Sequence, residues 1–226
     1  NGEWIENTNP YHAPGFCEGS AWQFTWYVPH DVKSLINLIG ERQFIDRLNA
    51  GFATSEKVSF NALGDNMGAY PINHGNETNM QAAYLFSYTS EPWHTQKWAR
   101  AIQEKYYGMG PRDAYPGDED QGQMSSWYIL SSIGLFQMDG GCSKDPVWLL
   151  GSPRFDRVEI LLDNTYYSGK KLIIKAENVS KDNCYIQYVR FNNKRLSNNY
   201  IEWSKLKKGG TLHFIMGDRP NPNAFK

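Results

Sequence analysis

Tyr115-Pro116-Gly117-Asp118-Glu119-Asp120-Gln121-Gly122-Gln123-Met124-Ser125-Ser126-Trp127-Tyr128 sets three consecutive carboxylates between a turn and an apolar helical pattern. Met124, Trp127, Tyr128, Ser131 and Leu135 recur at i, i+3, i+4, i+7 and i+11, one face of a 3.6-residue period. Pro116-Gly117 marks the turn, so the acids fall on a tight loop at a helix N-terminus, where backbone N–H groups and the dipole favour negative charge. Two readings follow. Asp120 with Gln123 matches a capping box in its Asp form, with Asp118 and Glu119 as solvated first-turn acids. Alternatively, the loop points its carboxylates into a cleft without pairing them to Lys or Arg.

Working outward, the chain before this stretch is helical in pattern. Asp31 caps a segment with Leu35, Ile36, Leu38 and Ile39 apolar and Gly40 at its end; Phe44, Ile45 and Leu48 mark a second helix, expected to stop before Gly51. Helical pattern resumes over 79–89, and Pro92 suits the first turn of a helix with the stripe Trp98, Ile102, Tyr106. From about residue 140 the texture changes. Six β-patterned runs, near 147–150, 157–162, 171–176, 185–191, 200–203 and 211–216, alternate with turn signals such as Asn192-Asn193 and Gly209-Gly210. The expected fold class is α+β, with a helical part over 1–139 and an antiparallel sheet or small sandwich over 140–226.

Composition narrows the function. The 226 residues carry a net charge of -1 with scattered Lys and Arg, which leaves no electrostatic footprint for nucleic acid. No apolar run approaches the roughly 18 residues of a membrane span, and no signal-peptide pattern opens the chain. The first residue is Asn1, so the expectation is a piece of a longer parent whose N-terminal part is missing. Three cysteines without CxxC spacing argue against a disulfide framework and a thiolate zinc site. Aromatic residues make up 15% of the chain; rings beside acids suit carbohydrate, whose C–H face packs on rings while its hydroxyls need polar partners.

Two further stretches carry chemical promise. In Gly15-Phe16-Cys17-Glu18-Gly19-Ser20, Glu18 lies among aromatic and small residues with no Lys or Arg nearby in sequence; burial there would raise its pKa as a general acid requires, whereas a solvated loop position would not. The polar loop Gly64-Asp65-Asn66 to Asn73-His74-Gly75-Asn76-Glu77-Thr78 offers Asn and Glu oxygens and backbone carbonyls, hard ligands suited to Ca²⁺. His74 either contacts a substrate or satisfies a turn.

Together, Gly15-Phe16-Cys17-Glu18-Gly19-Ser20-Ala21-Trp22-Gln23, His74-Gly75-Asn76-Glu77, Pro116–Tyr128 and Leu150-Gly151-Ser152-Pro153 resemble, in order and spacing, the glycoside hydrolase family 92 α-mannosidases. The resemblance implies a Ca²⁺-dependent, exo-acting, inverting α-mannosidase acting on terminal α-mannosides of N-glycans or mannan, exported to the periplasm, surface or medium of a bacterium. It implies Glu18 as general acid and Asp118 or Asp120 as base. It further implies His74 and Trp22 as substrate contacts and Asn76 and Glu77 as calcium ligands. Its fold implication is half of an (α/α)₆ barrel followed by terminal strands, with part of the mannose pocket supplied by the missing portion. Inversion needs a protonated carboxyl on the leaving oxygen and a carboxylate activating water on the opposite face. The competing readings are a non-catalytic carbohydrate-binding or interaction module, and an (α/α)₆ glycosidase of another sugar specificity.

Overall fold

A computed structural model of the chain describes residues 15–62, 68–117 and 119–226. Gly64-Asp65-Asn66 and Asp118 lie outside the described residues. The chain is α+β, as its pattern indicates. It divides into two compact units, one drawn from residues 1–82 and 104–124, the other from 83–103 and 125–226. The change from helix to strand near residue 139 falls inside the second unit.

In the first unit the local signals act where physical chemistry puts them. Asp31 caps α2 (Val32–Ile39), after the one-turn helix α1 (Ala21–Phe24), by accepting the Ser34 N–H at 3.2 Å. Gly40, at φ 87°, ends α2 and opens α3 (Glu41–Ser55). The helix does not stop before Gly51. A Cβ at that position would lie 3.2 Å from Pro71 Cβ, so this glycine serves close packing, which its sequence context cannot distinguish from a stop signal. Trp26, Phe44, Leu48, Phe52 and Phe60 form an aromatic-rich buried set, with Trp26 edge-on to Phe44 at 5.5 Å. A 3-10 turn at Glu56–Val58, a single turn, α4 (Glu77–Met80), and a second 3-10 turn at Asp120–Gly122 follow in this unit.

Two longer helices run through the boundaries between units: α5 (Trp93–Lys105) and α6 (Gln123–Ser132). On α6 the expected face is buried at Met124, Trp127 and Ser131, and the helix ends before Gly134, which adopts φ 82°. Leu135, also buried, already belongs to a strand.

All six expected strands occur, with two short additions. The strands are β1 (Leu135–Phe136), β2 (Val147–Leu150), β3 (Arg157–Leu161), β4 (Lys171–Glu177), β5 (Tyr185–Phe191), β6 (Lys194–Arg195), β7 (Tyr200–Glu202) and β8 (Gly210–Gly217); the turn α7 (Trp203–Leu206) joins the last two. They form a three-stranded sheet, β1-β2-β7, and a five-stranded sheet, β3-β4-β8-β5-β6. The antiparallel expectation fails at one pair: β8 runs parallel to β4, inserted between β4 and β5 after the chain has visited the other sheet through β7. Period-2 alternation places Leu172, Ile174 and Ala176 of β4 and Leu212, Phe214 and Met216 of β8 in one core. Asn192 and Asn193, both at positive φ, make the two-residue β5–β6 hairpin turn.

Candidate functional site

The first motif folds as a bend leading into α1. Glu18 adopts φ 53°, a left-handed conformation that costs a non-glycine residue about 1–3 kcal/mol and persists only when its surroundings hold it. One such hold is the Asn76 side chain, whose amide nitrogen donates to the Glu18 carbonyl. Glu18 itself is exposed, so this chain does not give its carboxyl the apolar burial entertained from the sequence. Trp22, on α1, is half-buried; the Arg47 guanidinium lies 4.7 Å over its ring, and Trp26 stacks beside it at 6.4 Å.

Buried amides join that motif to the polar loop. Gln23 donates to the Tyr70 carbonyl at 2.8 Å, and Asn79 donates to the Gln23 carbonyl at 2.8 Å while accepting the Asn73 N–H at 2.8 Å. Asn73 in turn accepts the Ala62 N–H at 3.2 Å. A loop with few backbone ladders must satisfy its buried polar groups somehow, and here side-chain amides do so.

The third motif meets the second at two glycines. A Cβ on Gly117 would lie 2.6 Å from both the Gly75 Cα and its carbonyl oxygen, and 2.4 Å from Tyr106 Oη. A Cβ on Gly75 would in turn meet Tyr106 Oη at 2.9 Å. Glycine at both positions therefore lets the two loops touch backbone to backbone, with the Tyr106 hydroxyl wedged alongside.

His74 is fully buried beside this junction. Its Nε2 lies 2.8 Å from the Tyr107 hydroxyl, which itself donates to the Met124 carbonyl at 3.2 Å. The hydroxyl has one proton and spends it on Met124, so the imidazole must donate through Nε2–H. Burial pushes the His74 pKa down from 6.5 to about 3, keeping the ring neutral. For the expected substrate contact this means that the ring has no exposed surface in this chain.

Of the acidic turn, Asp118 lies outside the described residues. Asp120 is exposed and is the first residue of the 3-10 turn, not its cap; the cap position is Glu119, whose side chain makes no capping hydrogen bond. The expected capping box at Asp120 is therefore not what starts this turn. Gln121, at φ 56°, is a second left-handed non-glycine residue. The kink it makes separates Glu119 and Asp120 from α6, so these two do not continue that helix's first turn.

Asn76 and Glu77 present hard oxygens. With the Asn76 nitrogen committed to the Glu18 carbonyl, Oδ1 is the ligand atom its side chain has to offer, and the half-buried Glu77 adds a carboxylate. Among the described residues Asn61 Oδ1 is buried without a hydrogen-bond partner, and it would stand 3.1 Å from a Cβ at Gly75. Oxygen-only donors with little charge suit Ca²⁺ completed by carbonyls, water or sugar hydroxyls, and do not suit zinc. Among the described residues no three His, Cys, Asp or Glu side chains cluster as a metal site.

Sequence reasoning did not single out Tyr107, Asn61 or Asn79. Tyr107 adjoins the core stripe that ends at Tyr106, and i, i+1 neighbours give no periodic signal. The fourth motif is structural. Ser152 Oγ and the Pro153 carbonyl accept from the buried Arg100 guanidinium, and a Cβ on Gly151 would lie 2.8 Å from Tyr84 Oη.

Residues 1–218 match the family model described as the glycosyl hydrolase family 92 catalytic domain. Over 203 residues the chain is 29% identical to an uncharacterized secreted glycosidase of Arthroderma benhamiae, covering 88% of this chain and 23% of that protein. A family GH92 α-mannosidase of Bacteroides thetaiotaomicron has a similar structure, with a TM-score of 0.83 and 33% identity over 99% of this chain and 28% of its own. A GH92 inverting mannosidase of the same bacterium matches with a TM-score of 0.82 and 31% identity, over 99% of this chain and 31% of its own. The chain thus spans under a third of the length of each relative.

Proposed function

The chain belongs to glycosyl hydrolase family 92, and from that membership we propose that it forms part of an exo-acting, inverting α-mannosidase cleaving terminal α-mannosides of N-glycans or mannan. The observation that carries the reading is the joining of three motifs within one unit: the Gly75–Gly117 contact and the Asn76 bond to the Glu18 carbonyl. A site assembled from separate loops, held by backbone contacts too close for any side chain, is what a pre-organised reaction centre requires.

In this reading Glu18 donates a proton to the leaving glycosidic oxygen. Asp118 or Asp120 takes a proton from the water that attacks the opposite face of the sugar. The exposure of Glu18 and Asp120 within this chain leaves both carboxyls open to a substrate. Asn76 and Glu77 would hold the Ca²⁺, which, when bound, orients sugar hydroxyls and favours a distorted ring. Trp22 and His74 border the site as substrate-side and supporting residues. The inverting enzyme and the secreted glycosidase among its relatives support inversion and export. The proposed architecture is half of an (α/α)₆ barrel with terminal strands, the remainder of the pocket coming from elsewhere in the intact protein.

The test is product analysis by the intact protein on matched aryl α-mannosides and α-glucosides. β-Mannose as the first-formed anomer is expected, lost on chelation. Glu18→Gln should lower kcat by roughly 10²–10⁴. Release of glucose instead of mannose would redirect the reading to another (α/α)₆ glycosidase.

A second reading, a carbohydrate-binding module, is favoured by a cleft of about 430 Å³ in the second unit, lined by Phe191, Tyr200, Asn198, Lys194 and Glu202. Glycan binding without turnover by the intact protein would decide for it.

A further inference from the structure

The contact between the Gly75 loop and the Gly117 turn is tight but narrow. Two glycines touching at one point fix a distance without fixing an angle, so a second tie is needed to stop one loop rotating on the other. Tyr107 supplies a tie at the right place. Its hydroxyl accepts from His74 Nε2, one residue before Gly75, and donates to the Met124 carbonyl, two residues past the Asp120–Gly122 turn. Tyr107 leaves the chain directly after Tyr106, whose hydroxyl lies against both glycines. The two adjacent rings, 5.1 Å apart and nearly perpendicular, each sit edge-on to His74, at 4.9 Å for Tyr106 and 5.6 Å for Tyr107.

We infer that Tyr107 is a positioning residue for the proposed reaction: its hydroxyl bridge from His74 to Met124 locks the loop bearing Asn76 and Glu77 against the acidic turn, fixing the spacing between them. The inference rests on the mannosidase reading of the site. The hydrogen-bond arithmetic makes the bridge directional and hard to replace. A phenolic hydroxyl is at once an acceptor and a donor: here it takes the buried imidazole N–H and gives its own proton to the Met124 carbonyl, whose oxygen has a second lone pair beyond the one used within α6. Phenylalanine at this position keeps the ring packing and removes both bonds. Tyr107 touches no reacting atom in this scheme; it acts through the loops it joins.

The experiment uses the intact protein and its Tyr107→Phe variant, with 4-nitrophenyl α-mannoside turnover and hydrogen–deuterium exchange as readouts. The expected result is a fall in kcat of about tenfold or more with KM within about twofold, because misplaced groups lose transition-state stabilisation before ground-state binding. Exchange should quicken together over residues 72–81 and 119–124, and nowhere else. Unchanged kcat with unchanged exchange overturns the inference. So does faster exchange throughout the chain with kcat and KM changing together, which is the mark of a merely structural tyrosine. If the wild-type protein cleaves no α-mannoside, the functional reading fails, and exchange alone decides the bridge: paired quickening upholds it and unchanged exchange overturns it.

Discussion

The two units bury apolar and polar side chains alike, but they differ in how much regular backbone pairing lies around them. The second unit relies on a five-stranded sheet in which alternate residues of β4 and β8, with Ile186 and Val189 across a bulge in β5, are apolar and buried; beside it buried Gln96 accepts the Ile186 N–H at 2.8 Å. The first unit has no sheet among its described residues, two of its helices are single turns, and it buries Gln23, Asn73, His74, Asn76 and Asn79. Each buried amide there replaces a ladder bond that regular structure would have supplied. Irregular backbone is what allows several loops to converge on one place; the amides are what make it tolerable. The comparison teaches that polarity inside the first unit is scaffolding for a site and not a sign of loose packing.

The sharpest way to break the comparison is to exchange its terms. Phe214, fully buried on β8, should cost about 3–5 kcal/mol as Phe214→Ala, and under about 1.5 kcal/mol as Phe214→Leu if the core repacks. Denaturant midpoints of the intact protein give both numbers. In the first unit apolar repair should fail. Asn79→Ala removes bonds to Asn73, Gln23 and Thr78 and should cost about 2–3 kcal/mol; Asn79→Leu should do no better, because its partners are backbone groups that stay buried. A mild Asn79→Leu variant would mean that the two interiors are held by the same kind of force.

How far the sequence discloses this contrast depends on the range of the interactions. Asp31, Gly40 and Gly134 act within a turn of themselves, so the helix ends they set are legible. Strands β2, β3, β4, β5, β7 and β8 are legible too, because period-2 alternation and turn residues are local. The parallel pairing of β4 with β8 is not, since it depends on where the chain goes between residues 177 and 210. Gly51 reads as a helix stop and is a contact with Pro71, some twenty residues away. At the site, the residue types of the three motifs are legible, but their roles in packing are not. Nothing near His74 in sequence announces that it is buried, because the rings burying it come from Tyr106 and Tyr107. Tyr107 carries no local signal, its partners being 33 residues before it and 17 after.

The smallest effect probes burial in the two units through charge. Desolvation lowers the pKa of His74 in the first and raises that of Tyr84 in the second, where the hydroxyl donates to Ser131 at 2.9 Å and the ring stacks on Phe136 at 4.2 Å. Both shifts keep the buried group neutral. For Tyr84 the folded-state pKa lies above its ordinary 10.0, so the folded chain holds the proton after the unfolded chain has released it. Its contribution to stability is therefore complete below pH 10 and is lost as pH rises from there toward the folded value. Between pH 9.5 and 10.5 the loss is about 0.7 kcal/mol from this one group. Tyr84→Phe should flatten the alkaline decline by that amount, even though it costs some stability at neutral pH by leaving Ser131 unpaired. Tyr88 and Tyr185, also raised by burial, keep their share of the slope in the variant. Denaturant midpoints at the two pH values for both proteins make the measurement. Equal slopes would show that the Tyr84 phenol meets water in the folded state, and that the second unit is less dry than its sheet suggests.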